Sequence, residues 1–355
     1  MKALVLSGGL GTRLRPFSHS MAKQTVPVAN RPVLVHCLEA IRDAGITEVG
    51  IIVGSRASDI QRVAGTGAQL GLRVTYLQQE SPLGLAHCVL IARDYLGDDD
   101  FVMYLGDNVV VGGIADVVAE FREQRPDALL MVAKVANPSE FGVAEIAPDG
   151  QVTRVQEKAA APVSDLAVIG VYVFSRAIHQ AVRAIKPSWR NEREITDAIQ
   201  WLIQHDAEVR AYHHLGYWKD TGKIDNLLDC NRELLEGLAP ALDAQVDEES
   251  TIIGPVTLDE TAQVSRSRLV GPLVVGSGTV IAGSYIGPYT SIGAGCVVDG
   301  AALESSIVMD GAVLTDVGHI KDSVIGREAR VSRTIARTDG HRLIVGDHGQ
   351  LCIGS

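Results

Sequence analysis

The sequence has no acidic residue before Glu39, so its amino-terminal segment is purely basic. The basic residues of that segment are Lys2, Arg13, Arg15, Lys23 and Arg31. This local charge contrasts with the chain of 355 residues as a whole, whose formal net charge is -11. A net negative charge argues against a general nucleic-acid or anionic-membrane surface, which depends on clustered Lys and Arg. Small phosphorylated ligands at the amino-terminal end remain compatible with it.

The sequence also lacks a C-x-x-C pair and any long apolar run. Its cysteines are odd in number and widely scattered, at Cys37, Cys88, Cys230, Cys296 and Cys352. This spacing indicates free thiols in a reducing compartment rather than zinc ligands or a disulfide framework. Gly8 and Gly9 interrupt the amino-terminal apolar run before it could form a signal-peptide core, and no later run could span a bilayer. We therefore expect a cytoplasmic protein.

The first two thirds of the chain alternate short β-rich runs with helical segments, which predicts an α/β domain. The predicted strands are Ala3–Leu6, Val49–Val53, Val74–Leu77, Phe101–Leu105, Leu129–Val135 and Val168–Phe174, and the predicted helices are Val33–Ala44, Leu85–Tyr95, Ile114–Arg125, Ile195–His205 and Lys223–Leu235. Strands this apolar are typical of a mainly parallel sheet that is covered on both faces and binds ligands at its carboxyl edge. Pro148-Asp149-Gly150 predicts a hairpin turn within this layout.

From Thr251 onward the helical pattern stops and aliphatic residues recur at intervals of six. The residues in this pattern are Val264, Val270, Val280, Ile286, Ile292, Val298, Ile307, Val313, Ile325 and Val331. One inward aliphatic residue per six predicts a parallel β-helix, with a β-sandwich of short strands as the alternative. We therefore predict two domains, residues 1–240 and 241–355.

The glycine-rich segment after the first strand reads LSGGLGTRLRPFSHSMAKQTVPVANRP from Leu6 to Pro32. Glycines at a strand exit let backbone N–H groups surround an anion. The segment matches neither a Walker loop nor a dinucleotide fingerprint, and by itself it could be a tight turn with surface arginines. The strings GGxGTRLxP and PVxxRP, with Lys23 between them, resemble the signature of sugar-1-phosphate nucleotidyltransferases. The likeness is strongest to the long form of the glucose-1-phosphate thymidylyltransferases and covers nearly the whole chain.

This resemblance implies an activity and a fold. The reaction is dTTP + α-D-glucose 1-phosphate → dTDP-glucose + pyrophosphate, by Mg²⁺-dependent in-line attack on the α-phosphorus, as the first step of dTDP-deoxysugar biosynthesis. The implied fold is a Rossmann-like domain with a mixed, mainly parallel sheet, followed by a left-handed parallel β-helix. We expect a homo-oligomer in which the β-helix has a structural or subunit-contact role, with no nucleic-acid or membrane partner.

Two aspartates are the candidate metal ligands. Asp107 follows an apolar strand in the string LGDN, and Asp220 lies in WKDTG. Read without the family, Asp107 could cap the next element and Asp220 could cap the helix that follows it. Both strings are similar to family motifs that hold magnesium, a cation that prefers carboxylate oxygens.

The resemblance also implies the remaining site residues. Arg13 and Lys23 would hold the triphosphate, Arg13 near the leaving pyrophosphate and Lys23 near the α-phosphate, and Lys158 would complete the catalytic set by meeting the sugar phosphate. The nucleotide-binding set is Leu6, Gly8, Gly9, Gly11, Thr12, Gln79, Pro82, Gly84, Gly106 and Asp107, in which Gln79 reads the pyrimidine edge. The sugar-phosphate set is Asn108, Gly142, Glu157, Lys158, Gly170 and Arg190. Asn191 and Arg193 depart from the family's glycine and leucine.

Three alternatives remain at this stage. One alternative is use of UTP instead of dTTP, a choice that rests partly on one ring methyl, which an apolar pocket distinguishes by only about 1 to 3 kcal/mol. An acyltransferase carried by the β-helix would need a histidine on a loop between coils, and only His319 lies within the repeats. A non-catalytic assembly subunit would be expected to have lost the metal carboxylates or Arg13. We interpret His319, His341 and His348 as surface or packing residues.

Overall fold

The computed structural model describes residues 1–242, 244–333 and 347–352, so His341 lies outside the described residues. The chain forms two compact units. The first unit combines Met1–Leu10 with Val33–Lys219, and the second combines Gly11–Pro32 with Asp220–Ser355. The division into domains at residues 1–240 and 241–355 stays a prediction. Within the described ranges, no helix is both long and apolar enough to cross a membrane.

Helices and strands alternate up to residue 236, as the hydrophobic pattern predicts. The helices are α1 (Val33–Asp43), α2 (Ala57–Ala64), α3 (Leu85–Ile91), α4 (Arg93–Leu96), α5 (Ala115–Gln124), α6 (Ile178–Ala184), α7 (Ile195–Gln204) and α8 (Ile224–Glu236). The strands are β1 (Lys2–Ser7), β2 (Pro27–Val28), β3 (Arg31–Pro32), β4 (Glu48–Val53), β5 (Arg73–Gln78), β6 (Phe101–Leu105), β7 (Asn108–Val110), β8 (Ala128–Lys134), β9 (Gly142–Ile146), β10 (Val152–Glu157), β11 (Leu166–Phe174), β12 (Val209–His213) and β13 (Trp218–Asp220). The helix predicted at Leu85–Tyr95 is two helices, because the α-helical run is interrupted at Ala92.

The first unit is built on a nine-stranded mixed sheet in the order β10-β9-β11-β6-β1-β4-β5, with β8 pairing both β11 and β12. Strands β6, β1, β4 and β5 run parallel to one another. Strand β11 is antiparallel to β6, β8 and β9, and the predicted hairpin is the antiparallel pair β9 and β10. The α/β class and the mixed sheet predicted for this part of the chain are therefore confirmed.

The central strands of this sheet are apolar at successive positions, so both faces of the sheet have to be covered. Strand β6 is buried along nearly its whole length, and Phe101 and Tyr104 are among the largest fully buried side chains. Burial of each such side chain contributes roughly 1.5–3 kcal/mol. Parallel sheets of this kind bind polar ligands where the strands end, at the carboxyl edge of the sheet.

The second unit contains the stacked short strands of a left-handed parallel β-helix, which confirms the predicted fold class. The strands are β14 (Ala241–Leu242), β15 (Gln245–Val246), β16 (Thr251–Ile253), β17 (Val256–Leu258), β18 (Gln263–Ser265), β19 (Arg268–Val270), β20 (Leu273–Val275), β21 (Val280–Ala282), β22 (Tyr285–Ile286), β23 (Thr290–Ile292), β24 (Val297–Asp299), β25 (Ala302–Glu304), β26 (Ile307–Val308), β27 (Val313–Thr315), β28 (His319–Lys321), β29 (Val324–Ile325) and β30 (Arg330–Ser332). They form three parallel sheets, one for each face of the coil.

One coil of the β-helix contains 17 residues, which is fewer than three repeats of six residues would give. Ser284 N–H donates to Ser267 Oγ and Ala301 N–H donates to Ser284 Oγ, and each pair is 17 residues apart. Inward residues are therefore separated by five residues at some corners and by six at others, as from Ile281 to Ile286 and from Ile286 to Ile292. The prediction that Val280 points inward is wrong, because Val280 is 36% exposed and Ile281 is fully buried.

Adjacent residues of β21 provide a matched test of this register. We expect Ile281→Ala to lower the free energy of unfolding by about 2–5 kcal/mol, because the substitution leaves a cavity in the β-helix core. Val280→Ala, on the outer face, should change it by less than about 1 kcal/mol. Urea denaturation of both variants measures the difference. Equal losses for the two variants would contradict the observed register.

Candidate active site

Glycines follow the three central parallel strands of the first unit. Gly8 follows β1, Gly54 follows β4 and Gly106 follows β6, and Gly106 N–H donates to the carbonyl of Leu6 (3.0 Å). A Cβ on Gly54 would stand 2.7 Å from the oxygen of Gly8, and a Cβ on Gly106 would stand 2.5 Å from Ser7 Oγ. Side chains would not fit at these positions. Glycine at these positions lets the strand ends pack closely at the carboxyl edge, where sheets of this kind bind ligands.

The segment predicted to read the base lies beside this edge. Gln79 directly follows β5, its side chain is buried, and its Oε1 is 2.8 Å from the point where a Cβ on Gly8 would stand. Gly84 has φ +100°, and a Cβ there would collide with the backbone oxygen of Arg193. Ala86 N–H donates to that same oxygen at 3.1 Å. Pro82 and the residues on either side of it are exposed. Only glycine at position 84 allows this loop to pack against the backbone of Arg193.

Asp107 and Asn108 lie just beyond the carboxyl end of β6. Both side chains are buried, and Asn108 Nδ2 donates to Asp107 Oδ1 at 3.1 Å. Trp218 Nε1 donates to Asn108 Oδ1 at 2.7 Å, which fixes the orientation of the Asn108 amide. Gly170 has φ +74°, and a Cβ there would stand 2.9 Å from Asn108 Oδ1. Because strand β7, not a helix, follows Asp107, the alternative of a helix cap does not apply.

The residues predicted for the sugar phosphate form one charged cluster around Glu157. Lys158 Nζ and Arg190 Nη1 each lie 3.6 Å from Glu157 Oε1, and Thr196 Oγ1 donates to Glu157 Oε2 at 3.1 Å. A Cβ on Gly142 would stand 3.1 Å from Glu157 Oε2. The cluster offers two cations to a phosphate, and a carboxylate and a hydroxyl to a polyol.

Arg190 is held by more than one carboxylate. Its guanidinium lies 3.1 Å from Glu192 Oε2 and 3.4 Å from Glu194 Oε1, in addition to the contact with Glu157. Burial raises the pKa of Glu194, and the hydroxyl of Ser188, which donates to Glu194 Oε1 at 3.0 Å, opposes that shift. Arg190 is thus fixed in position, and the carboxylates compensate its charge when no phosphate is bound.

The two departures from the family pattern have different structural consequences. Asn191 has φ +60°, the left-handed conformation that a glycine adopts and that asparagine tolerates better than most residues. The backbone of this turn can therefore keep a glycine-like conformation. Arg193 donates through its guanidinium to the carbonyl of Ile185 (2.7 Å), while its main chain pairs with Leu83 and Ala86.

In the second unit, the basic loop and Asp220 come together. Arg13 Nη2 lies 3.5 Å from Asp220 Oδ2, although the two residues are more than 200 positions apart in sequence. Asp220 Oδ1 accepts from Gly222 N–H at 2.7 Å in a local turn, and α8 begins only at Ile224, so Asp220 is not the cap of that helix. A Cβ on Gly11, which has φ +65°, would stand 3.0 Å from Lys23 Cβ.

The predicted residues thus fall into local groups within each unit. The groups of the first unit are Leu6, Gly8, Gly106 and Gln79; Pro82 and Gly84; Asp107, Asn108 and Gly170; and Gly142, Glu157, Lys158 and Arg190. Those of the second unit are Gly11 with Lys23 and Arg13 with Asp220, while Gly9 of the first unit and Thr12 of the second are exposed. Among the described residues, no group of three or more His, Cys, Asp or Glu side chains is arranged to hold a metal ion. The metal assignment stays a prediction.

Sequence reasoning missed several side chains that position these groups. Trp218 orients Asn108, Thr196 donates to Glu157, and His87 and Cys88 contact the amide of Gln79. Trp218 belongs to the same WKDTG string as Asp220, so the motif itself was a signal. His87 and Cys88 lie on the mainly apolar helix α3, just outside the strings that resemble the family, so no motif marked them.

The histidine required by the acyltransferase alternative does not have the expected setting. His319 is the first residue of strand β28, and its Nε2 lies 3.5 Å from Glu304 Oε2. It is therefore part of a coil face rather than of a loop extruded between coils. This observation removes the feature on which the alternative depended.

Comparisons with known proteins show the family of this chain. A family model described as nucleotidyl transferase matches residues 2–237. A glucose-1-phosphate thymidylyltransferase of Streptomyces griseus is 54% identical, and one of Streptomyces antibioticus is 52% identical, each over 100% of both chains. A Bacillus anthracis structure with bound sucrose, assigned as a glucose-1-phosphate thymidylyltransferase, superposes with a TM-score of 0.63 at 30% identity, covering 68% of this chain and 98% of that chain. The chain belongs to the nucleotidyl transferase family, in the branch of the glucose-1-phosphate thymidylyltransferases.

Proposed function

We propose that this protein converts dTTP and α-D-glucose 1-phosphate to dTDP-glucose and pyrophosphate. The observation that carries the proposal is a buried carboxylate, Asp107, at the end of a central parallel strand whose neighbour β1 ends in the glycine loop. That edge of the sheet suits a nucleotide, and the Glu157 cluster of the same unit suits a phosphorylated sugar. The full-length likeness to two thymidylyltransferases supports the choice of nucleotide and sugar.

The reaction is an in-line displacement, so the site has to hold two anions together and stabilise the charge on the departing pyrophosphate. Arg13 would bind the oxygens of the leaving pyrophosphate, because its planar guanidinium can bridge two of them. Lys23 would neutralise the α-phosphate. Lys158 and Arg190 would hold the phosphate of the sugar, whose oxygen forms the new bond to the α-phosphorus as the bond to pyrophosphate breaks. Glu157 would accept hydrogen bonds from sugar hydroxyls.

We further propose Mg²⁺ as the cofactor, with Asp107 and Asp220 as its protein ligands. Both offer carboxylate oxygens, the donors that Mg²⁺ prefers, and two carboxylates are enough because the ion also binds water and substrate phosphates. When bound, the ion supplies positive charge to the triphosphate. Asn108 Nδ2 donates to Asp107 Oδ1, and this hydrogen bond helps to orient the carboxylate.

The substrate proposal is tested by pyrophosphate release. A panel of dTTP, UTP, dCTP and ATP against glucose 1-phosphate, galactose 1-phosphate and mannose 1-phosphate, each with Mg²⁺, should give the highest kcat/KM for dTTP with glucose 1-phosphate. The missing ring methyl alone should lower kcat/KM for UTP by about 10- to 200-fold, and the ribose 2′-hydroxyl of UTP is a second difference from dTTP. If kcat/KM is higher for UTP than for dTTP, the protein is a uridylyltransferase and the proposed choice of nucleotide is wrong. Release of no pyrophosphate from any pair would favour a non-catalytic subunit.

The other predicted properties depend on the same assignment. A cytoplasmic location suits an enzyme with free thiols and soluble phosphorylated substrates. A homo-oligomer remains our proposal for the assembly, and sedimentation of the purified protein measures it directly.

A further inference from the structure

The side-chain amide of Gln79 is held at one end by helix α3. Gln79 Nε2 donates to Cys88 Sγ at 3.3 Å and lies 3.2 Å from His87 Nδ1. The backbone is fixed as well, because Gln79 N–H donates to the carbonyl of Val53 at 2.8 Å. With its nitrogen engaged by α3, the amide turns its oxygen toward Gly8 at the glycine loop. The amide therefore presents an acceptor, not a donor, on the loop side.

The thiol of Cys88 makes this orientation the favourable one. Cys88 Sγ donates its single proton to the carbonyl of Gly84, at 3.6 Å. The sulfur can then only accept from Gln79, and an amide oxygen in place of Nε2 would leave two acceptors facing each other. Burial raises the pKa of Cys88 to about 12, so the thiol keeps that proton at neutral pH.

His87 contacts the same nitrogen of the Gln79 amide and fits the orientation that Cys88 favours. A ring nitrogen that contacts an amide NH₂ group has to accept, so the ring proton is assigned to Nε2 from this hydrogen bond. Burial and, to a smaller extent, the positive charge of Arg193 lower the pKa of His87. The neutral ring that results is the form that can accept at Nδ1. Arg193, the residue that replaces the family's leucine, thus supports the accepting form of His87.

We propose that His87, assisted by Cys88, is a positioning residue that holds the Gln79 amide with its oxygen toward the nucleotide and thereby selects bases that carry a hydrogen on N3. This inference rests on the proposed function, in which Gln79 reads the pyrimidine edge. Thymine and uracil donate from N3–H to an amide oxygen, whereas N3 of cytosine is an acceptor and would face that oxygen unfavourably. Cytosine would be accommodated only by turning the amide over, which Cys88 and His87 oppose.

Two variants of matched shape separate positioning from packing. Leucine and asparagine both branch at Cγ as histidine does, but only His87→Asn keeps an acceptor oxygen near the position of Nδ1. We expect His87→Leu to lower the ratio of kcat/KM for dTTP to that for dCTP by about tenfold, the effect of losing one orienting hydrogen bond. The change should lie mainly in KM, because base binding is equal in the ground and transition states. His87→Asn should keep the ratio within about threefold of the unchanged protein.

The outcomes distinguish this inference from the proposed function. If the unchanged protein turns over dTTP and His87→Leu keeps its base selectivity, the positioning role is wrong and the proposed function stands. If His87→Asn loses selectivity as His87→Leu does, the role of His87 is packing and the inference is again wrong. The ratio of the calorimetric Kd values for dTTP and dCTP, measured without sugar phosphate on the three proteins, tests base selectivity without turnover. Thermal unfolding of each variant verifies that the fold is retained.

Discussion

Replacing Asp107 with Asn is expected to lower turnover by on the order of 10³-fold or more while the fold remains intact. Asparagine has the same shape, and its Oδ1 can still accept from Asn108 Nδ2. The substitution therefore removes one buried negative charge and keeps the volume of the side chain. Because the proposed role of Asp107 is to bind a divalent cation with that charge, kcat should fall far more than stability.

The measurement is pyrophosphate release at saturating dTTP and glucose 1-phosphate over a series of Mg²⁺ concentrations. Asp116→Asn is the matched control, because Asp116 is an exposed residue in the first turn of α5. That variant should retain activity within about twofold. If Asp107→Asn keeps more than half of the activity, the assignment of Asp107 as a metal ligand is wrong.

Replacing Arg13 with Met should lower kcat by about 10²- to 10³-fold, the effect of removing one preorganised donor from a charge that grows in the transition state. The pair of Arg13 with Asp220 is half-exposed, with 56% of the Arg13 side chain accessible. Exposed ion pairs contribute only about 0–1 kcal/mol to stability. A large loss of activity therefore cannot be attributed to unfolding, and Tm should change little.

Two further variants test whether the loss of activity is specific to the guanidinium of Arg13. Arg13→Lys keeps the charge but loses the planar fork, so its kcat should lie between those of Arg13→Met and the unchanged protein. Arg15→Met is the control from the same loop, where Arg15 Nη1 lies 3.4 Å from His348 Nε2. The kcat of Arg15→Met should stay within about threefold of the kcat of the unchanged protein. An equal loss for Arg13→Met and Arg15→Met would indicate a general effect of loop charge rather than a specific clamp.

Local sequence signals predicted the elements of the first unit well. Apolar runs identified β1, β4 and β6, and the turn Pro148-Asp149-Gly150 identified the hairpin of β9 and β10. The antiparallel insertion of β11 between β6 and β8 could not be derived in this way. Strand direction depends on the path of the connections between strands, and a hydrophobic pattern carries no record of that path.

The register of the β-helix shows the same limit at the scale of single residues. Val280 and Ile281 are adjacent and similarly apolar, so the sequence does not say which of them faces inward. The inward residue is set by hydrogen bonds at the corners of the coil. There, stacked turns join residues that are 17 positions apart in the sequence, as where Ser284 N–H donates to Ser267 Oγ. Those bonds join neighbouring coils and form only when the coils stack.

The family could be identified without the structure, because the glycine loop, LGDN and WKDTG are continuous strings that resemble the motifs of the family. The same resemblance predicts that Gln79 reads the base, and an amide suits that role because it offers both a donor and an acceptor. Which end of the Gln79 amide faces the glycine loop could be seen only in the folded protein. The hydrogen bonds to His87 and Cys88 connect a strand end to a helix, and this direction is fixed by three-dimensional contacts rather than by local pattern.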